Sequence, residues 1–174
     1  MSGIPTMEEK CIGAMLGAAI GDALGWPNEF LKAGKKNISS ENKFSQWKRY
    51  TGGKYWHHNE EILAGEYSDD TQMILAVARS IIMGEWEKNF STIELPFWLE
   101  YERGGGRAVK SAARILKSGY YPWDAPDYAA RTRYFAAGGN GAAMRVLPHV
   151  IRAAKYKTAE KLMEEVMRNA IYTH

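Results

Sequence analysis

The chain has 174 residues, of which 45% are hydrophobic and 25% are charged, so it is long enough to bury a sizeable core as one domain over residues 1–174. Its net charge is only +3, and its basic residues are dispersed apart from Lys32, Lys35 and Lys36. This distribution argues against direct nucleic-acid binding, because nucleic-acid binders concentrate their basic residues in a patch or stripe.

The first residues do not have the pattern of a targeting or membrane segment. Residues 1–10 include two glutamates before any apolar run, unlike a secretory signal. The apolar run over residues 12–26 is interrupted by Asp22 and is too short to span a bilayer. The single cysteine, Cys11, cannot form an intramolecular disulfide, and we expect it to be buried in a helix. These features predict a cytoplasmic protein without membrane interactions.

The first predicted helix begins at a capping box formed by Thr6 and Glu9. Apolar residues then recur at helical spacing, at Ile12, Met15, Leu16, Ala19 and Ala23. Glycines repeat every four residues on an adjoining face, at Gly13, Gly17, Gly21 and Gly25. Each glycine costs a helix about 1 kcal/mol relative to alanine, so we expect this face to pack against another helix backbone. A direct ligand role is the alternative at the end of the helix, near Asp22 and Gly25.

Residues 32–66 are polar and rich in Lys, Asn, Ser and Gly, with no convincing alternation of apolar and polar residues. The composition predicts a long irregular segment without strands. A loop of this length in a compact domain is usually functional. Its adjacent histidines, His57 and His58, have no partner residues at the spacing of a zinc site.

Two adjacent aspartates, Asp69 and Asp70, follow Ser68 and precede an apolar helical stretch. Adjacent carboxylates repel each other and raise each other's pKa, and a hard cation such as Mg²⁺ or Mn²⁺ removes that cost by binding carboxylate and hydroxyl oxygens. The alternative is helix capping, with Ser68 as the N-cap and the aspartates at the positive end of the helix dipole. The two interpretations are compatible.

The remaining sequence predicts further helices, over residues 70–83, 96–102, 107–117, 124–135, 148–155 and 158–170. Asp124 is the predicted cap of the fourth of these, and Gly119 is the predicted stop after residues 107–117. Because the helical periods dominate the chain, the predicted fold class is all-α.

Two glycine-rich loops each precede a helical segment, at residues 104–106 and 138–141. Exposed backbone N–H groups at a helix N-terminus can bind an anion. Neither loop follows a strand or matches a Rossmann or P-loop fingerprint, so a simple turn is the alternative for each. Two such loops together with the paired aspartates favour a phosphate-bearing ligand and a metal.

Four segments together resemble the ADP-ribosylglycohydrolase family. Residues 13–25 read Gly-Ala-Met-Leu-Gly-Ala-Ala-Ile-Gly-Asp-Ala-Leu-Gly, and residues 67–73 read Tyr-Ser-Asp-Asp-Thr-Gln-Met. Residues 139–145 read Gly-Asn-Gly-Ala-Ala-Met-Arg, and Thr173-His174 matches the start of a further family motif. The segments occur in the family's order and cover almost the whole chain.

The resemblance implies a compact all-α bundle with a binuclear Mg²⁺ or Mn²⁺ centre that cleaves ADP-ribose conjugates. Ser68, Asp69 and Asp70 match the first cluster of metal ligands, and Glu29 matches an acidic residue that closes over the metals and the distal ribose. Asp69, Asp70 and Glu29 are therefore the candidate catalytic residues. The candidate substrate-binding residues are Gly104, Gly105, Gly106, Asn140, Gly141, Ala142, Met144 and His174. The implied substrate is an ADP-ribosylated protein or a small ADP-ribose conjugate.

The 174 residues do not contain the family's second metal motif, Asp-x-Asp-Thr. We therefore expect this chain to be the N-terminal part of the fold, with the missing helices supplied by a complementary polypeptide, by a longer parent before proteolysis or by a swapped protomer. A catalytically inactive ADP-ribose-binding or structural member of the family is the alternative. A third interpretation is a plain helical interaction module, in which Asp69 and Asp70 only cap a helix.

Overall fold

The computed structural model describes residues 3–29, 43–52, 55–154 and 158–174. These residues form two compact units, Met1–Ser68 and Asp69–His174. Part of the predicted irregular segment, residues 32–42, and the end of the predicted helix at residue 155 lie outside the described residues.

The first unit begins with α1, Met7–Gly25, and the capping box that the sequence predicts is present at its start. The Glu9 backbone N–H donates to Thr6 Oγ1 at 3.2 Å, and the Thr6 N–H donates to the Glu9 carboxylate at 2.7 Å. These bonds satisfy N–H groups that otherwise have no partner within the helix. A 3₁₀ turn, Trp26–Asn28, follows directly.

The predicted close packing of the α1 glycine face is wrong for the described residues. A methyl group placed on Gly13, Gly17, Gly21 or Gly25 would meet no described atom within 4 Å. The predicted burial of Cys11 is also wrong, since its side chain is partly exposed, and the nearby Leu16 is 58% exposed. The helical period was correctly identified, but Ala23 is the only residue of α1 that is buried.

The first unit also contains a β-hairpin, so the prediction of no strands is wrong. Its strands are β1, Trp47–Thr51, and β2, His58–Ile62, which pair antiparallel with Trp47 opposite Ile62. Ile62 is fully buried, and Trp47 lies edge-on against Trp26 with 5.3 Å between ring centroids. The strands are short and mostly polar, so the period-2 signal is weak in the sequence.

The second unit is built from helices in chain order. They are α2 (Asp69–Ile82), α3 (Trp86–Asn89), α4 (Leu95–Trp98), α5 (Arg107–Lys117), α6 (Tyr128–Phe135), α7 (Leu147–Ala153) and α8 (Ala159–Ala170). One turn of π-helix, Phe90–Glu94, joins α3 to α4, and 3₁₀ turns cover Pro122–Asp124 and Ala143–Arg145.

The core of the second unit is apolar and draws on most of these helices. Its members are Met73, Ala76, Val77, Trp86, Phe90, Leu95, Trp98, Val109, Ala113, Leu116 and Tyr172. On α5, positions 109, 112, 113 and 116 are buried, which is the face expected from the helical period. The predicted bounds of α5 are confirmed, and Gly119 ends it with a positive φ of 84°.

Other predicted boundaries in the second unit need correction. The helix predicted over residues 96–102 ends at Trp98, and its helical segment begins ten residues earlier, at Trp86. The predicted cap Asp124 instead ends a 3₁₀ turn, and the N-cap of α6 is Asp127, whose carboxylate accepts from the N–H groups of Ala129 and Ala130. The second error arises because a short 3₁₀ turn that ends in an acidic residue precedes α6.

The helices dominate the described part of the chain, and the hairpin is the one sheet within it, so the all-α fold class is confirmed. No helix in the described ranges combines the length and the apolar character needed to cross a bilayer.

Candidate functional site

The paired aspartates occupy the first turn of α2, as the sequence predicts. Asp69 is buried, with 8% of its surface exposed, and Asp70 is half-buried. The backbone N–H of Asp69 donates to the carbonyl of Arg103 at 2.9 Å. This bond fixes the start of α2 beside the residue that precedes the first glycine loop.

Ser68, the last residue of the first unit, is held by a residue outside the predicted site. Its hydroxyl donates to Asp22 Oδ1 at 2.6 Å, and its backbone N–H donates to Asp22 Oδ2 at 3.0 Å. Asp22 lies near the end of α1, where the sequence left a ligand role open, but it was not included among the candidate site residues. Glu29, also in the first unit, is exposed, and its N–H donates to the Trp26 carbonyl at 3.2 Å.

Gln72, one turn into α2, holds the segment that leads to the first glycine loop. Its side-chain oxygen accepts from Trp98 Nε1 and from the Arg103 N–H, both at 3.1 Å, and its nitrogen donates to the Tyr101 carbonyl at 2.8 Å. Gln72 is buried, so each of these bonds replaces one to water. Sequence reasoning quoted Gln72 within a motif but assigned it no role.

The first glycine loop is shaped by close contacts that exclude side chains. A methyl group on Gly105 would lie 2.3 Å from the Trp98 ring, and Gly104 has a positive φ of 96°. The Gly105 N–H donates to Glu102 at 2.9 Å, and Gly106 is the N-cap of α5. Glycine is therefore required at residues 104 and 105 for conformation and space, respectively.

The second glycine loop meets α5 and His174. A methyl group on Gly141 would lie 2.5 Å from Val109 Cγ2 and 3.0 Å from His174 Cε1. Val109 is in the first turn of α5, which follows the first glycine loop. Both loops and His174 therefore come together around the start of one helix.

The other predicted residues of this loop lie around the 3₁₀ turn that begins at residue 143. The carbonyl of Asn140, an exposed residue, accepts from the Met144 N–H at 3.0 Å. Ala142 is half-buried at the N-cap of the turn, and Met144 packs against the core.

A buried arginine donates a hydrogen bond to the second glycine loop. Arg145 is fully buried, and its guanidinium donates to the Gly141 carbonyl at 2.8 Å and to Asn169 Oδ1 and O at 2.6 and 2.8 Å. It also lies 5.0 Å from the centre of the Phe90 ring. Burial lowers the pKa of Arg145 to about 9, so it stays charged at neutral pH. Its partner Asn169 carries no motif signal, and sequence reasoning missed it.

His174 is half-buried, and its Nδ1 lies 2.7 Å from Thr173 Oγ1. Burial lowers the pKa of its imidazole, and the charge of Arg145 lowers it further. The imidazole is therefore neutral at neutral pH and suited to contact with an uncharged group such as a base or a sugar.

A family model described as ADP-ribosylglycohydrolase matches residues 4–174. The chain belongs to the ADP-ribosylglycohydrolase family. A relative from Rhodospirillum rubrum, named ADP-ribosyl-(dinitrogen reductase) glycohydrolase, is 30% identical over 149 residues, which are 83% of this chain and 45% of the relative. An uncharacterized protein from Archaeoglobus fulgidus is 30% identical over 146 residues, 82% of this chain and 42% of that protein.

The chain thus spans under half the length of these two curated relatives. The family membership agrees with the all-α fold and identifies an enzyme family of glycohydrolases. Within the described residues there is no group of three or more His, Cys, Asp or Glu side chains that could hold a metal ion.

Proposed function

We propose that this chain is the N-terminal part of a metal-dependent ADP-ribosylglycohydrolase. The observation that carries the proposal is the meeting of two glycine-rich loops and His174 around the start of α5. Family membership supports it independently. The substrate class that we propose is an ADP-ribosylated protein or a small ADP-ribose conjugate, in keeping with the name of the relative from Rhodospirillum rubrum.

The glycine-rich loops are the proposed binding site of the ADP-ribose diphosphate and adjoining ribose. Backbone N–H groups that no side chain shields can donate to phosphate oxygens, and a helix N-terminus adds a favourable dipole. The first loop contributes residues 104–106, in which the Gly105 N–H already donates to Glu102 and must exchange that partner for a phosphate. The second loop contributes Asn140, Gly141, Ala142 and Met144. His174, neutral beside Gly141, contacts the adenosine part of the ligand in this proposal.

Asp69, Asp70 and Glu29 are the proposed catalytic carboxylates. Cleavage of a glycosidic bond develops positive charge on the sugar ring and requires proton transfer to the leaving group. Carboxylates stabilise the positive charge and can transfer the proton. The burial of Asp69 supports this assignment, because a carboxylate with little water around it interacts more strongly with developing charge.

The donor chemistry of Ser68, Asp69 and Asp70 fits Mg²⁺ or Mn²⁺, but the number of ligands does not. Both ions prefer oxygen ligands, and their affinity rises with the number of carboxylates. The described residues lack a group of three acidic or histidine ligands. We therefore propose that ligands outside the described residues complete the metal centre, and that the enzyme works in the cytoplasm.

The first experiment tests the ligand site on the 174-residue chain by isothermal titration with ADP-ribose. The variant His174→Ala should weaken binding by about tenfold, through loss of roughly 1.4 kcal/mol of contact. The matched control is His57→Ala, since His57 is an exposed histidine of the first unit. Equal affinities for the two variants would contradict the proposed ADP-ribose site.

The second experiment tests the metal and the activity. The chain alone should bind Mn²⁺ weakly in calorimetry and release no ADP-ribose from ADP-ribosylated protein. Both properties should appear together when a segment carrying Asp-x-Asp-Thr is supplied as a second polypeptide. Robust turnover by the mass-verified chain alone, abolished by Asp69→Ala, would refute the incomplete metal site while leaving the glycohydrolase assignment intact.

A further inference from the structure

A groove lined by basic side chains lies between α5 and α6. It has a volume of about 580 Å³, and its lining contains four basic residues, Arg107, Lys110, Arg114 and Arg133. No acidic or aromatic residue lines it within the described part of the chain. We call it the basic groove.

The basic groove follows from the helical period of α5. Residues 107, 110 and 114 are spaced at i, i+3 and i+7, which places them on one face of the helix. The opposite face packs into the core through buried positions such as Val109 and Leu116. The basic face is thus directed away from the core, and Arg107 and Arg114 are exposed.

The charges of the basic groove are only partly compensated. Lys110 Nζ lies 3.2 Å from Glu102 Oε1, and Arg133 Nη2 lies 3.6 Å from Asp127 Oδ2. Within the described residues, the guanidinium groups of Arg107 and Arg114 make no hydrogen bond or ion pair. Two unmatched positive charges in one groove repel each other, and an anionic ligand that contacts both would relieve that repulsion.

The spacing of these charges decides the kind of ligand. Arg114 is seven positions after Arg107, so the backbone of α5 rises by about 10 Å between them at 1.5 Å per residue. A peptide extended in the polyproline II conformation covers a similar distance in about three residues at 3.1 Å per residue, and its residues i and i+3 lie on the same face. A single phosphate is small compared with this backbone spacing. Single-stranded nucleic acid is normally bound with aromatic side chains that stack on its bases, and the lining has none.

We propose that the basic groove binds an extended acidic segment of a partner protein, with carboxylates three residues apart on Arg107 and Arg114. This inference stands on α5 and α6 and holds or fails independently of ADP-ribose cleavage. A substrate protein with an acidic segment near its modified residue would be oriented by such a contact.

The experiment uses a fluorescein-labelled peptide of three Glu-Ser-Gly repeats, titrated with the 174-residue chain at low salt and followed by fluorescence anisotropy. Arg114→Glu should raise the Kd by about fivefold or more, since it replaces an attraction by a repulsion at weakly screened charge. The control is Lys88→Glu, an equal change of charge on α3 at a residue that is 68% exposed and outside the groove. It should change the Kd by less than about twofold.

Several results would overturn the proposal. They are equal weakening by the two variants, equal binding of a Gln-Ser-Gly peptide, and no measurable binding of the acidic peptide. Tighter binding of a ten-nucleotide thymidine strand, with the same sensitivity to Arg114→Glu, would assign the groove to nucleic acid instead. Circular dichroism checks that each variant is folded, and Arg114→Gln replaces Arg114→Glu if the latter is not.

Discussion

The longest helices of the two units differ in how many of their residues are buried. In the first unit, α1 leaves Ile12, Leu16 and Ile20 about half exposed and buries only Ala23. In the second unit, α2 buries eight of its fourteen residues, several of them polar. Apolar periodicity therefore predicts that a helix forms, but the contacts that cover its apolar face must be supplied by the rest of the fold.

Buried polar groups sharpen this contrast. The second unit fully buries Arg145, His149 and Asn169, and each has at least one hydrogen bond. In the hairpin of the first unit, the charged residues lie closer to water. Removal of a buried partner leaves a desolvated donor or acceptor unsatisfied, so the largest effects of substitution are expected in the second unit.

The largest expected effect is at Arg145. Arg145→Met leaves the Gly141 carbonyl and Asn169 Oδ1 without a donor, at about 1–3 kcal/mol each, while the Asn169 carbonyl keeps the Tyr172 N–H, so we expect a loss of about 3 kcal/mol or more. Urea unfolding followed by circular dichroism measures it. The control is Lys48→Met in β1, which replaces an exposed cation and should change the free energy of unfolding by less than about 0.5 kcal/mol. Similar losses for both variants would erase the contrast between the units.

Gln72 is expected to come next. Gln72→Leu leaves Trp98 Nε1 and the Arg103 N–H without their acceptor, which should cost about 2 kcal/mol. It should also loosen the approach to the first glycine loop, seen as faster amide exchange at residues 103–105. The exposed Gln46 provides the control, and Gln46→Leu should change stability by less than about 0.5 kcal/mol. Unchanged exchange in the Gln72 variant would mean that this side chain does not hold the loop.

Replacing a glycine by alanine should change the free energy of unfolding in opposite directions in the two units. Gly141→Ala would place a methyl group 2.5 Å from Val109 and should cost about 1–3 kcal/mol by overpacking. Gly17→Ala meets no described atom and should stabilise α1 by about 1 kcal/mol through helix propensity. Gly17→Leu distinguishes the two accounts of α1. A loss of several kcal/mol would restore the packed glycine face that the sequence predicts.

The smallest expected effect is a pH dependence at His149. Burial lowers the pKa of this imidazole, while the carboxylate of Glu165, 3.0 Å from Nδ1, opposes the shift. The unfolded chain, with a histidine pKa of about 6.5, therefore takes up a proton first as pH falls, and the free energy of unfolding decreases below that pH.

Urea unfolding at about pH 7 and about pH 5 measures this dependence. His149→Asn should make the decrease in unfolding free energy shallower. Glu165→Gln should make it steeper, because it removes the group that opposes the pKa shift. An unchanged slope in both variants would exclude His149 as a contributor.

Much of the helical architecture could be predicted because its signals are local. The capping box of α1, the start of α2 and the bounds of α5 depend on residues within a turn or two of each other. The hairpin was missed because its strands are short and polar, and their pairing is a contact between separate segments. The prediction for the glycine face of α1 failed for a similar reason. A repeat of small residues does not identify which segment, if any, packs on that face.

Some residues of the candidate site could be predicted from motifs, and others are evident only from the structure. Motifs identified Asp69, Gly141 and His174, and the contact between the last two was not visible in the sequence. Asn169 and Gln72 act through hydrogen bonds to residues 24 to 31 positions away, so no local pattern points to them. Residues that hold a site through hydrogen bonds are found from their burial and their partners in the structure, and their spacing in the sequence does not reveal them.

The hydrogen bonds from Arg145 to Asn169 also have a consequence for folding during synthesis. The glycine loop, the arginine and the start of α5 are all made before Asn169 and Tyr172, which complete the hydrogen bonds and the core. Before Asn169 is made, Arg145 stays hydrated, because its burial would leave two of its hydrogen bonds unmade. Folding of this unit is therefore expected to wait for residues 169–174, and a nascent chain stalled before them would be a substrate for chaperones and proteases.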